Sequence, residues 1–108
     1  MEVAVTFVKA NGFDWDEANV YKVCKHGLNI EMIEEFFLRK VLIIPDSKHS
    51  SHEHRMLAFA KSINNRNVIA VFTMRKVNHL DLIRVISARY MHKKEVRFYE
   101  EIKKAIEG

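Results

Sequence analysis

Two arginines, Arg84 and Arg89, sit in the run Leu82-Ile83-Arg84-Val85-Ile86-Ser87-Ala88-Arg89, whose β-branched residues predict a strand. A guanidinium is costly to bury alone, so each needs an anionic partner. Its planar fork binds carboxylate or phosphate through two parallel hydrogen bonds, so the strand is either paired internally with acids or open to a phosphate-bearing ligand. Other residue types that could do chemistry stand earlier in the sequence. Glu53 and Arg55 share one face of an extended segment, as a base beside a phosphate clamp or as an ion pair. His26 ends a helical pattern, where the dipole favours its protonated form; it could act as an acid or a phosphate contact, or simply cap carbonyls before Gly27. His49, His52 and His54 fall within six residues and raise a metal site, but no cysteine is near and only Asp46 and Glu53 could complete a shell.

The surrounding charge favours an anionic ligand. Residues 55–97 carry ten Lys/Arg and two acids, whereas residues 1–54 are net −3 and residues 98–108 net −1, leaving +4 overall. A basic block of this kind suits nucleic acid or an acidic protein, and a solvated basic face is the plain alternative. Arg84 and Arg89 are an odd number of positions apart, so on a regular strand they point to opposite faces, and one of them is expected to be structural. Arg89 could pair with Glu95 or reach Tyr99 and so anchor the last helix.

The elements that must position these groups can be read from periodicity. The 108 residues, 48% apolar and 30% charged, predict one domain over 1–108 with no low-complexity segment. Val3 to Val8 is an edge strand or an extended arm, followed by a turn at Lys9-Ala10-Asn11-Gly12. Asp14 or Asp16 caps a helix to about Lys25, with Ala18, Tyr21 or Val20, and Cys24 on one face and Gly27 as the stop. Asn29 caps a second helix whose Ile30, Ile33, Phe36 and Phe37 face the core while Glu31, Glu34 and Glu35 face water. Lys40 to Ile44 is a strand ended by Pro45, and a polar loop follows over 46–51. His54 to Lys61, Asn67 to Arg75 and Leu82 to Arg89 form an antiparallel meander with connections at 64–67 and 76–79. His92 to Ile106 closes the chain as a helix. The expected fold is α+β: two N-terminal helices, a four-stranded antiparallel sheet with an N-terminal edge strand or arm beside it, and a C-terminal helix. Trp15, Phe7, Phe36, Phe37, Phe59 and Phe72 are assigned to the core. Lone Cys24 reads as a small buried apolar residue of a reducing compartment. The apolar start is too short to span a bilayer and lacks a basic leader, so a cytoplasmic location with no membrane association is expected.

Phe13-Asp14-Trp15-Asp16, Lys25-His26-Gly27, His49-Ser50, Glu53, Arg55, Thr73, Arg75, the 83–89 run, and Glu95 with Tyr99 together resemble the BrnT family of type II toxins from about Phe13 to Glu100. The resemblance implies a RelE-like ribonuclease fold and a toxin that stops translation. It also implies a BrnA-like antitoxin, dimerised through a ribbon-helix-helix domain, that holds the toxin inactive, with the pair repressing its own operon, so that operator DNA is met only through the antitoxin. The chain departs from the family pattern at Ala60, where glycine is frequent, at Lys76 to Leu80, which reads as a longer loop than the usual glycine turn, and at residues 1–12, an N-terminal extension.

RNA cleavage without metal needs a base for the 2′-hydroxyl, an acid for the 5′-oxygen and cations for the phosphorane-like charge. His26, Glu53, Arg75, Arg84, Arg89 and Tyr99 are the candidate catalytic residues. Arg55, Arg75, Lys76, Lys93 and Lys94 are the candidate RNA contacts, with no cofactor and no metal expected. The other function classes that fit are a catalytically weak module that binds the antitoxin, and a metal-dependent enzyme centred on the histidines.

Overall fold

The computed structural model describes residues 3–49 and 53–107. Its elements in chain order are β1 (Ala4–Thr6), β2 (Gly12–Phe13), α1 (Glu17–Cys24), α2 (Ile30–Phe37), β3 (Val41–Pro45), a 3₁₀ turn (Ser47–His49), β4 (Met56–Lys61), β5 (Asn67–Val77), β6 (Leu80–Tyr90) and α3 (Lys93–Glu107). Among the described residues the sheet has six strands in the order β1-β3-β4-β5-β6-β2, not four. β1 is the expected edge strand, antiparallel to β3. β2 lies where a turn was expected and pairs parallel with β6 through Gly12–Leu82 and Phe13–Ile83, so the sheet is mixed. Two residues leave almost no period to read, and the pairing is held from outside, by Asn11 N–H to the Asp81 carbonyl and Asp14 N–H to the Ile83 carbonyl.

Local chemistry explains the helix boundaries. Asp16, rather than Asp14, caps α1 by accepting the Asn19 N–H, Asn29 caps α2 by accepting the Met32 N–H, and Gly27 takes φ 91° after α1. Each face of the sheet buries its own cluster. On one side Val23 of α1 and Ile33, Phe36 and Phe37 of α2 cover Ala58, Ala60, Val68, Ala70, Phe72, Ile83, Val85 and Ala88. On the other, Tyr99 and Ile102 of α3 pack against Leu42, Ile44, Phe59 and Ile69. Small residues in the middle strands let the aromatic rings of α2 approach the sheet, and Phe37 meets Phe72 edge-on at 5.1 Å.

Several side-chain assignments change. α1 turns Asn19 and Val23 inward while Ala18 is exposed and Tyr21 is 81% exposed, because Asn19 Nδ2 donates to the Val85 carbonyl of β6. Phe7 is an exposed ring with Lys40 Nζ 5.7 Å from its centre, and Trp15 is half-buried with its indole N–H on Glu34. Glu34 and Glu35 are likewise half-buried, and Glu35 accepts from Arg39. The connection at 76–79 is no long loop. β5 runs to Val77, and Asn78 (φ 50°) with His79 (φ 68°) makes a tight two-residue turn of the left-handed kind that matches strand twist.

Candidate functional site

The β5–β6 ladder skips a residue: Val71 faces Ser87 and Phe72 faces Val85, so Ile86 is the extra residue of a bulge. Alternation of faces restarts there. Arg84 opposite Thr73 and Arg89 opposite Ile69 therefore both stand on the α3 side of the sheet, whereas a regular strand would have put them on opposite sides. Arg75, opposite Leu82, stands on this side too.

Beyond the start of α3 this face is open, and a relay of alternating charges runs across it. Arg55 Nε is 3.4 Å from Glu53, Arg75 is 3.7 Å from both Glu53 and Asp14, and Arg84 is 3.9 Å from Asp14 and 2.8 Å from Asp16. Each member is set by the backbone beneath it. Thr73, buried in β5, donates its hydroxyl to the His54 carbonyl at 2.8 Å and fixes the segment that carries Glu53 and Arg55. The Trp15–Glu34 bond ties residues 14–16 to α2. β2 covers β6 only at Leu82 and Ile83, so from Arg84 onward the edge of β6 is met by α1, with Asn19 satisfying the Val85 carbonyl.

The arginines differ in how firmly they are held. Arg89 grips Glu95 with two bonds of 2.7 Å, and Glu95 also accepts the His92 N–H at the start of α3. The Arg89 guanidinium, with the His92 N–H, holds the Glu95 carboxyl below its usual range, and Glu95 raises Arg89 in turn. Arg84, 16% exposed, donates to the Asp14 carbonyl at 3.0 Å and to Asp16. The Asn19 N–H and then Arg84 lower the Asp16 carboxyl. Among the described residues Arg75 has contacts only at salt-bridge distance, and it is 45% exposed. Two adjoining depressions, each about 380 Å³, follow the relay and share Arg55 and Ile86. One is lined by Asp16, Lys22, Glu53, Arg75 and Arg84. The other is lined by Leu57, Val71, Ser87, Arg89 and Glu95.

Glu53, Arg55, Arg75 and Arg84 are thus brought together, with Arg89 beside them. The remaining candidates lie elsewhere. His26 is exposed beyond the far end of α1, roughly 12 Å of helix from Asp16 for its eight residues, and makes no hydrogen bond or ion pair among the described residues. Tyr99 stacks on Phe59 in the α3-side core, with Lys103 over its ring. Lys76 points to the face opposite Arg75 and pairs with Asp81 at 3.4 Å. Lys93 and Lys94 are exposed on the first turn of α3. Among the described residues there is no group of three metal-ligating side chains; His52 and Ser50 lie outside them, as does the side chain of His49. Asp14, Asp16 and Lys22 were not expected at the site. Acids spaced two apart in Phe13-Asp14-Trp15-Asp16 were a signal for the first two, since both can serve one neighbour, but helix capping absorbed it.

Fold and site together define a small α+β domain that presents guanidinium groups and carboxylates on an open sheet face. The chain belongs to the BrnT family, described as the ribonuclease toxin, BrnT, of type II toxin-antitoxin system, which it matches over residues 15–95. No curated protein matches it. No helix among the described residues is long and apolar enough to cross a membrane.

Proposed function

We propose that the protein is a metal-independent endoribonuclease that stops translation by cutting RNA on its arginine face. The observation that carries this is the gathering of Arg55, Arg75 and Arg84 around Glu53 on an open face of the sheet. In this reading Arg75, the most loosely held, grips the scissile phosphate, with Arg55 and Arg84 adding fixed positive charge where the phosphorane oxygens develop. Glu53 takes the 2′-hydroxyl proton, the 2′-oxygen attacks phosphorus, and the bond to the 5′-oxygen breaks, leaving a 2′,3′-cyclic phosphate. Lys22, lining the same depression from α1, gives the leaving 5′-oxygen its proton. Arg89 serves by anchoring α3, while His26 and Tyr99 have no part in the step. Lys76, Lys93 and Lys94 attract RNA at longer range through charge alone.

A BrnA-like ribbon-helix-helix antitoxin neutralises the toxin, RNA is the substrate, operator DNA is reached only through the antitoxin, and the setting is the cytoplasm. The fold is expected to be similar to RelE. A second reading, a weakly catalytic module that holds the antitoxin, draws on one observation: Arg75 and Arg84 already have carboxylate partners. Induced expression without a partner tests between them. RNA cleavage and growth arrest that vanish in a folded Arg75→Ala variant support the ribonuclease; intact RNA and normal growth with abundant protein leave the binding module.

A further inference from the structure

Resting on the phosphate-gripping role of the arginines, we infer that the neighbouring depression is a nucleobase subsite. Leu57, Ile69, Val71 and Ile86 give it an apolar lining, and Ser87, Arg89, Asp46 and Glu95 supply its polar groups. α3 covers the sheet beyond Arg89 but leaves Leu57, Val71 and Ile86 half-exposed. Its volume, about 380 Å³, lies within the roughly 300–1,000 Å³ range of small-molecule sites, which are apolar with a few polar groups at fixed places. Continuity decides the occupant. This depression shares Arg55 and Ile86 with the one lined by Arg75 and Arg84. A nucleotide carries its base one sugar away from its phosphate, so a phosphate on the arginines delivers a base next door.

The chemistry of the lining fits a base in two ways. Aliphatic side chains give its flat face an apolar bed. The Arg89 guanidinium is held in place by its two bonds to Glu95, and a fixed planar cation at the wall offers either a stacking surface or donors to a base edge. The Ile86 bulge creates the arrangement: the extra residue lines both depressions and keeps Arg84 and Arg89 on one side of them.

The test is a titration of the full chain with the four nucleoside 3′-phosphates and with ribose 5-phosphate, followed by amide NMR. At least one nucleoside phosphate is expected to move the Val71 and Ser87 amides as well as those around Arg75 and Arg84, and to bind about tenfold more tightly than ribose 5-phosphate. Val71→Trp, which fills the depression, is expected to cut that affinity to the ribose 5-phosphate level. Shifts confined to the Arg75 and Arg84 side, with equal affinity for both probe classes, would overturn the subsite and leave the phosphate reading intact. Absence of any shift with every probe would overturn both.

Discussion

Arg84 and Arg89 are five positions apart and still share one side of the sheet, because Ile86 is the extra residue between them. The same bulge separates their duties. Arg84 ties residues 14–16 to the edge strand, and Arg89 ties the start of α3 to the sheet. Arg75, on the neighbouring strand, ties nothing so firmly.

That contrast predicts a separation of activity from stability. Arg75→Ala is expected to lower RNA cleavage by about 10²–10³, the usual cost of removing one transition-state donor, with stability within about 0.5 kcal/mol of the parent. Arg89→Ala is expected to cost about 1–2 kcal/mol of stability, a figure held down by the partial exposure of the pair. Single-turnover cleavage beside urea unfolding of both variants checks this, and equal stability losses would count against it.

Part of the acid sensitivity should trace to Glu95. Its carboxyl is depressed below its ordinary value of 4.5 in the folded chain, so its contribution is fully present above that value and is lost as pH falls through the depressed one. Glu95→Gln is expected to be less stable than the parent at neutral pH and to lose less stability than the parent below pH about 4.5. Melting curves between neutral and acid pH check the convergence; parallel curves would assign the acid response to other groups.

Asn19 is a polar residue turned inward for the sake of a strand edge. Its amide satisfies the Val85 carbonyl, which has no strand partner outside it. Asn19→Ala is expected to cost about 1–3 kcal/mol by leaving that carbonyl unsatisfied beneath α1. Chemical denaturation measures the cost, and faster hydrogen exchange across α1 should accompany it.

Much of this was legible beforehand. The three helices, the β3 to β6 run and the Asn29 cap follow from periodicity and turn chemistry, and the need of Arg84 and Arg89 for anions follows from desolvation. What escaped reading was non-local. β2 is held by hydrogen bonds from residues about 70 positions away, and no local pattern announces it. Nothing in Val85-Ile86-Ser87 marks the bulge at Ile86, so the face rule assigned Arg84 and Arg89 to opposite sides. Phe7 is a ring whose partners proved to be solvent and Lys40.

The turn between β5 and β6 gives a last expectation. Asn78 and His79 both hold positive φ, at 50° and 68°. Asparagine accepts that backbone region readily, but histidine carries a Cβ into it at a cost that glycine does not have. His79→Gly is therefore expected to raise stability by about 0.5–1 kcal/mol, because the turn type favours Asn-Gly and the added freedom of the unfolded chain offsets only part of the relief. Since the turn caps the arm that carries Arg75, the variant should also leave the cleavage rate unchanged: relief at the tip alters neither the Arg75–Leu82 register nor the residues below it. Thermal unfolding and a cleavage assay on one preparation read both quantities, and a fall in melting temperature would mean that the His79 side chain makes a contact that supports the arm.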